Sequence, residues 1–231
     1  MNLTLNGGQT TCILGASGVG KSTLLRIIAN LVSANHLSQG KDHTNASISS
    51  DNLIPVCEQI SYIAQTDLLL PWLNVIDNVL LGFRLRKTNR KTLSAQQSLA
   101  KNLLKEVGLE QAIHMHPHQL SGGMKQRIAL VRTFIEGKPI VLMDEPFSSL
   151  DTINRFHLQD LTANLLHKKT ILLVTHDPLE ALRLADHIYI MSGNPAMLSS
   201  FLTLNSQTPR DPSSEEMITL YSSLLQRLLG R

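Results

Sequence analysis

Residues 15–22, Gly15-Ala16-Ser17-Gly18-Val19-Gly20-Lys21-Ser22, spell the pattern G-x-x-x-x-G-K-[ST]. That spacing suits a phosphate chain. Glycines let the backbone wrap so that its N–H groups face phosphate oxygens, and a helix opening at the loop's end adds its positive dipole. Lys21 would reach the β- and γ-phosphates, and the Ser22 hydroxyl would hold Mg²⁺. A second group stands where Ile140-Val141-Leu142-Met143 runs into Asp144-Glu145. Carboxylates that end a buried strand project from the sheet edge at which α/β proteins meet their ligands. Asp144 would hold the cation, and Glu145 is placed as general base or orienter for an attacking water. Alone, Asp-Glu reads as an acidic turn; beside the glycine loop it reads as half of a phosphoryl-transfer site.

Other groups are less specific. Leu120-Ser121-Gly122-Gly123 opens a helix that Ser121 can cap. It reads either as an ordinary capped helix or as a second phosphate-binding helix end used from another subunit, and spacing alone leaves both open. His114, His116 and His118 alternate but surround a proline and have no acidic or cysteine neighbour, so a loop is favoured over a metal site. Cys12 reads as a small buried hydrophobe. Trp72, the single tryptophan, lies in Asp67-Leu68-Leu69-Leu70-Pro71-Trp72-Leu73-Asn74-Val75. That segment reads either as core packing or as a groove for a partner's helix.

The elements that must position these groups follow from hydrophobic periodicity. Leu3 and Leu5 alternate with polar residues ahead of Asn6-Gly7-Gly8, which predicts a hairpin into a buried strand at Thr10–Leu14. A helix follows the glycine loop, and residues 33–52 turn polar, as expected of loops and short strands. Strand character returns from Val56 to Ala64. Helices are expected from Asn74, from Leu93 to Val107 and from Ser121 to Glu136. From Ile140 the rhythm becomes strand–helix–strand–helix–strand to Met191, the signature of a parallel sheet covered on both faces. A linker around Pro209 and Pro212 precedes a last helix, Ser214 to Leu229, whose stripe of Met217, Tyr221, Leu224, Leu225 and Leu228 predicts packing on its own domain.

Composition bounds the rest. The 231 residues can bury one domain's core, and 42% hydrophobic residues exclude a disordered chain. A net charge of +3 without a basic stripe argues against a nucleic-acid partner. Two cysteines cannot build a disulfide framework, which favours a reducing compartment. The charged fraction of 17% is low for a water-facing surface, so part of it is expected to meet a protein partner.

The loop 15–22, Leu120-Ser121-Gly122-Gly123, Asp144-Glu145, Ser149-Leu150-Asp151 and Thr175-His176-Asp177 occur in the order seen in ATP-binding subunits of ABC transporters, and Gln65 resembles that family's Q-loop glutamine. The resemblance runs from residue 3 to about residue 195. It implies an α/β fold of the P-loop NTPase (RecA-like) type: a parallel sheet with a helical signature subdomain. The core would be residues 3–70 and 138–195, the helical subdomain 71–137, and a helical tail 210–231, all within one ABC ATPase domain of 1–231. The cofactors implied are ATP and Mg²⁺, bound through Gly15, Ser17, Gly18, Gly20, Lys21, Ser22 and Thr23, with Ser22, Gln65 and Asp144 at the metal. Glu145, His176 and Lys21 would be catalytic, His176 as the switch histidine at the γ-phosphate. Ser121, Gly122 and Gly123 would meet the ATP of a second subunit across a head-to-tail homodimer, with Asp151 at that interface.

The same resemblance implies two transmembrane permease subunits, a solute-binding protein acting indirectly, and a peripheral location on the cytoplasmic face of the inner membrane. Leu70-Pro71-Trp72 and Gly123-Met124 look like the importer branch for nitrate, sulfonates and taurine, or for thiamine pyrimidine precursors. Family members also carry edge strands and an adenine-stacking aromatic upstream of this start. No aromatic precedes Tyr62, so a truncated antiparallel β edge is expected. Two alternatives are a non-transport ABC-type ATPase and a nucleotide-binding module weakened at that edge. A GTPase switch would need Asp-x-x-Gly and Asn-Lys-x-Asp, which are absent, and a P-loop kinase would need an arginine lid rather than Leu-Ser-Gly-Gly.

Overall fold

The computed structural model describes residues 2–32, 47–52, 54–148 and 150–229. The polar excursion expected at 33–52 lies mostly outside these residues, as does Ser149. The chain divides into two units, one of residues 1–62, 138–145 and 167–231 and one of residues 63–137 and 146–166.

The described strands form a six-stranded sheet in the order β2-β3-β4-β1-β5-β6. They are β1 (Thr10–Leu14), β2 (Ile60–Ile63), β3 (Ile140–Asp144), β4 (Thr170–Thr175), β5 (His187–Ser192) and β6 (Met197–Thr203). Strands β3, β4, β1 and β5 run parallel, and β6 returns antiparallel on β5. Their registers bring chain ends level: Leu14 pairs with Thr175 and Asp144 with Val174. Gly15, Glu145 and His176 therefore leave the sheet together from its C-terminal edge, although up to 161 residues separate them in sequence.

Helix α1 (Lys21–Ile28) follows β1 and packs on β3. Its Leu25 is fully buried among Ile13, Leu142, Leu172 and Val174. Full burial of a leucine removes enough apolar surface from water to stabilise by about 1.5–3 kcal/mol. The expected N-terminal hairpin is absent. β1 has β4 on one side and β5 on the other, so neither edge is free for a hairpin partner, and residues 2–6 form no strand. Leu3 and Leu5 instead pack against the sheet's core. Two further departures concern β2 and β6. Pro55 starts a 3₁₀ turn at Val56–Gln59, which shortens the expected strand to Ile60–Ile63. β6 carries only a half-buried pattern on an edge, which leaves little periodic signal in the sequence.

The second unit is helical: α2 (Val75–Val79), α3 (Leu81–Leu85), α4 (Arg90–Glu106), α5 (Gly122–Ile135) and α6 (Thr152–Leu165). Asn74 caps α2, Asn89 caps α4, Ser121 caps α5 and Asp151 caps α6, each accepting the backbone N–H of the third residue of its helix. Val79, Leu104, Ile128 and Val131 form the centre of its core. Trp72 does not join that core. It is 70% exposed, and Leu68 and Leu85 are exposed with it, whereas Leu69 and Val75 of the same segment are buried in the core. The proline at 71 starts the turn that holds the ring outside.

In the first unit, α7 (Pro178–Leu184) and α8 (Glu215–Leu228) pack together, with Met217 and Leu224 of α8 buried as the stripe predicts. Arg210 anchors the segment between them. Its buried guanidinium donates to the carbonyls of Leu182, Ala185 and Ser206 and to Ser206 Oγ, satisfying the C-terminal end of α7. Burial holds its pKa below the ordinary value.

Candidate functional site

The loop between β1 and α1 is shaped by two glycines. A side chain at Gly15 would put Cβ 2.4 Å from the Met191 carbonyl oxygen, which no real side chain tolerates. Gly20 stands at φ 109°, a conformation natural only to glycine, and turns the chain into α1 without a capping side chain. The first backbone N–H groups of α1 thus lack a side-chain acceptor, which is the electrostatic character of an anion site.

Lys21 is buried at 4% exposure and donates to the carbonyls of Gly15 and Ala16 at 2.8 and 2.9 Å. Its Nζ also lies 3.8 Å from Glu145 Oε1. Burial lowers its pKa, and the carboxylates of Glu145 and Asp144 work against that. An ammonium held this way is curled onto its own loop, and a phosphate would offer it stronger, charged acceptors.

Asp144 ends β3 at 1% exposure with both carboxylate oxygens engaged. Ser22 donates its hydroxyl to Oδ1 at 2.7 Å, and Tyr62 of β2 donates its phenol to Oδ2 at 3.0 Å. Burial, then the Asp144 charge, push the Tyr62 pKa up to about 12, so the phenol is protonated at neutral pH. Tyr62 is a site residue that sequence reading misses. It lies 82 positions from Asp144, and only the adjacency of β2 and β3 brings them together.

Glu145 stands at φ 47°, in the left-handed region that costs a non-glycine residue energy. Its N–H donates to the Val174 carbonyl at 2.9 Å, which ties the strained residue to β4. Its other carboxylate oxygen meets Nδ1 of His176 at 3.1 Å, and the His176 side chain is about half exposed. Asp177 caps α7 immediately after, so the histidine sits on a braced turn. Lys21, Ser22, Asp144, Glu145 and His176 therefore converge at one edge of the sheet in the first unit. Ser17 and Thr23 belong to the same loop and helix start. A serine hydroxyl and a carboxylate are hard oxygen donors, the set that Mg²⁺ prefers, and the buried Asp144 supplies the negative charge.

The remaining expected residues lie in the second unit. Gln65 follows β2 and is exposed. Ser121 Oγ accepts the Met124 N–H at 3.3 Å, while Gly122 has open space where a side chain would project. Asp151 accepts from the backbone and side chain of Asn154, and those bonds hold its pKa below the usual carboxylate value. His116 and His118 stack 5.9 Å apart around the turn Pro117–Gln119, and no metal-binding group of three or more His, Cys, Asp or Glu occurs among the described residues. Cys12 is fully buried, and burial raises its pKa, so its thiol is held protonated. No helix among the described residues is long and apolar enough to cross a membrane.

A family model described as "ABC transporter" matches residues 1–148. Over its full length the chain is 40% identical to an uncharacterized ABC transporter ATP-binding protein of Haemophilus influenzae, covering 91% of that protein. It is 37% identical, over 99% of this chain and 90% of the relative, to the aliphatic sulfonates import ATP-binding protein SsuB 2 of Pseudomonas syringae pv. tomato. A bicarbonate transport ATP-binding protein, CmpD of Synechocystis, is 34% identical over 91% of this chain and 73% of that one. Among solved structures, an inward-facing ABC transporter of metal-chelate type superposes with a TM-score of 0.68 at 21% identity, over 96% of this chain and 81% of that chain. At that identity the likeness speaks for the fold.

Proposed function

Since this chain belongs to the ABC transporter family, as one of its ATP-binding, ATP-hydrolysing subunits, we propose that it energises the import of a small solute through Lys21, Ser22, Asp144, Glu145 and His176. The observation that carries this reading is the Glu145 carboxylate, which reaches Lys21 at 3.8 Å and His176 at 3.1 Å from a backbone held in the left-handed region. Strain of that kind persists where the surrounding structure over-determines it, and it concentrates at working sites.

In this mechanism the loop from Gly15 to Gly20 and the N-terminus of α1 receive the phosphates, with Ser17, Gly18 and Thr23 contributing contacts. Lys21 turns from the carbonyls of Gly15 and Ala16 to the β- and γ-phosphate oxygens, where a buried ammonium gains counter-charge. Ser22 and Asp144 would hold Mg²⁺, and the cation when bound would neutralise charge on the phosphates. Glu145 accepts a proton from the attacking water as that water's oxygen bonds to the γ-phosphorus and the bond to the β–γ bridging oxygen breaks. His176 orients Glu145 and meets the γ-phosphate. ADP and inorganic phosphate leave.

The helical residues 71–137 serve as the signature subdomain. Ser121, Gly122 and Gly123 close on the ATP of a second copy, and Asp151 borders that interface, so the working unit is a homodimer. Two transmembrane permease subunits receive the motion, which sets the chain on the cytoplasmic face of the membrane as a peripheral subunit. A solute-binding protein supplies cargo, and relatives named for aliphatic sulfonates and bicarbonate favour a small anion. The exposed Trp72, Leu68 and Leu85 favour a permease contact on the second unit.

Substitution of the base tests the reading. Glu145→Gln keeps shape and loses proton affinity, so steady-state ATP hydrolysis should fall by about 10²–10⁴-fold while ATP binding persists. Undiminished hydrolysis would remove Glu145 from the mechanism.

A further inference from the structure

Ser22 on α1 and Tyr62 on β2 divide the Asp144 carboxylate between them, one oxygen each, at 2.7 and 3.0 Å. The last torsion of an aspartate is soft and roughly two-fold, so a single donor leaves the carboxylate plane free to turn. A second donor on the opposite oxygen removes that freedom. Arg26, one helical turn beyond Ser22, carries a positive charge near the same phenol that opposes part of its pKa rise. The phenol has a single proton, and it is directed at Asp144 Oδ2.

We propose that Tyr62 is a positioning residue for the cation site: its hydroxyl fixes the plane of the Asp144 carboxylate so that Oδ1 stays aimed at Ser22 and at the Mg²⁺ the two would share. The proposal rests on the reading of Ser22 and Asp144 as cation donors. Nothing is transferred in this role. The phenol keeps its proton and acts by restricting rotation, and Oδ1 keeps its remaining lone-pair capacity for the cation. Phenylalanine at this position would preserve the ring's packing among the residues around Ile60 and Ile140 and delete only the donor.

The experiment measures binding rather than turnover, with ADP as the probe. Calorimetric ADP affinity is followed in EDTA and at rising Mg²⁺ for the wild-type chain, Tyr62→Phe and Asp144→Asn. Loss of a hydrogen bond to a charged acceptor should raise the Mg²⁺ concentration for half-maximal enhancement by about tenfold in Tyr62→Phe, with affinity in EDTA unchanged. Unchanged Mg²⁺ dependence overturns the proposal. So does an equal weakening with and without Mg²⁺, or a variant that no longer folds, since either assigns the hydroxyl to general structure. If Asp144→Asn retains the full Mg²⁺ enhancement, the underlying reading of Asp144 fails. If Asp144→Asn loses it and Tyr62→Phe does not, only the role of Tyr62 fails.

Discussion

Lys21 and Glu145 face each other across 3.8 Å, the first from the start of α1 and the second from the turn after β3, with 4% and 12% of their side chains exposed. Burial of an ammonium is costly unless charge and hydrogen bonds compensate it. Here two loop carbonyls and one carboxylate do so, and all three are contacts that an arriving phosphate can supplement or replace. The pair holds the ammonium and the proposed base at close range.

Lys21→Met tests that arrangement. The variant keeps the aliphatic stem and loses the charge. Hydrogen bonds to charged groups contribute about 1.5–3 kcal/mol each, so ATP affinity measured by calorimetry should fall at least about tenfold. Wild-type affinity in this variant would show that the ammonium does not meet the phosphates.

Asp151 makes stability depend on pH. Its pKa is lowered first by the Asn154 side chain and then by the Asn154 N–H, so the folded chain favours the carboxylate more than the unfolded chain does. The resulting stability is fully present above the unfolded value near 3.8 and is lost as pH falls through the lower folded value. Asp151→Ala should therefore melt below wild type at pH 6–7, and the gap should close at acid pH. Melting curves recorded from neutral to acid pH read this directly; a gap independent of pH would assign the loss to something other than the charge.

Arg210 closes the end of α7 with two hydrogen bonds from a buried guanidinium, to the carbonyls of Leu182 and Ala185, and makes two more to Ser206. Arg210→Met leaves the carbonyls of Leu182 and Ala185 without their donor, and unsatisfied buried groups cost about 1–3 kcal/mol each. A chain of this size loses about 2–4 °C of melting temperature per kcal/mol, so a drop of about 5–15 °C is expected by calorimetry. A shift under a degree would mean that water replaces the guanidinium.

The chemistry and the element types were legible in the one-dimensional pattern because both are local. The spacing of Gly15, Gly20, Lys21 and Ser22 is a property of eight consecutive residues, and the glycines' conformational demands are set by the loop itself. Apolar runs at Thr10–Leu14, Ile140–Met143 and Thr170–Val174 announced buried parallel strands, since burial on both faces leaves no room for polar alternation. Strand order was not legible. Whether β1 could take a hairpin partner depended on β4 and β5 flanking it, and those strands lie more than 150 residues downstream. The same long-range pairing decided that Leu14, Asp144 and Thr175 end level, and so gathered Lys21, Glu145 and His176. It also gave Tyr62 its place beside Asp144. Propensity and periodicity act over a few residues, whereas register between distant strands is settled by how the whole sheet packs, and only the tertiary structure carries that information.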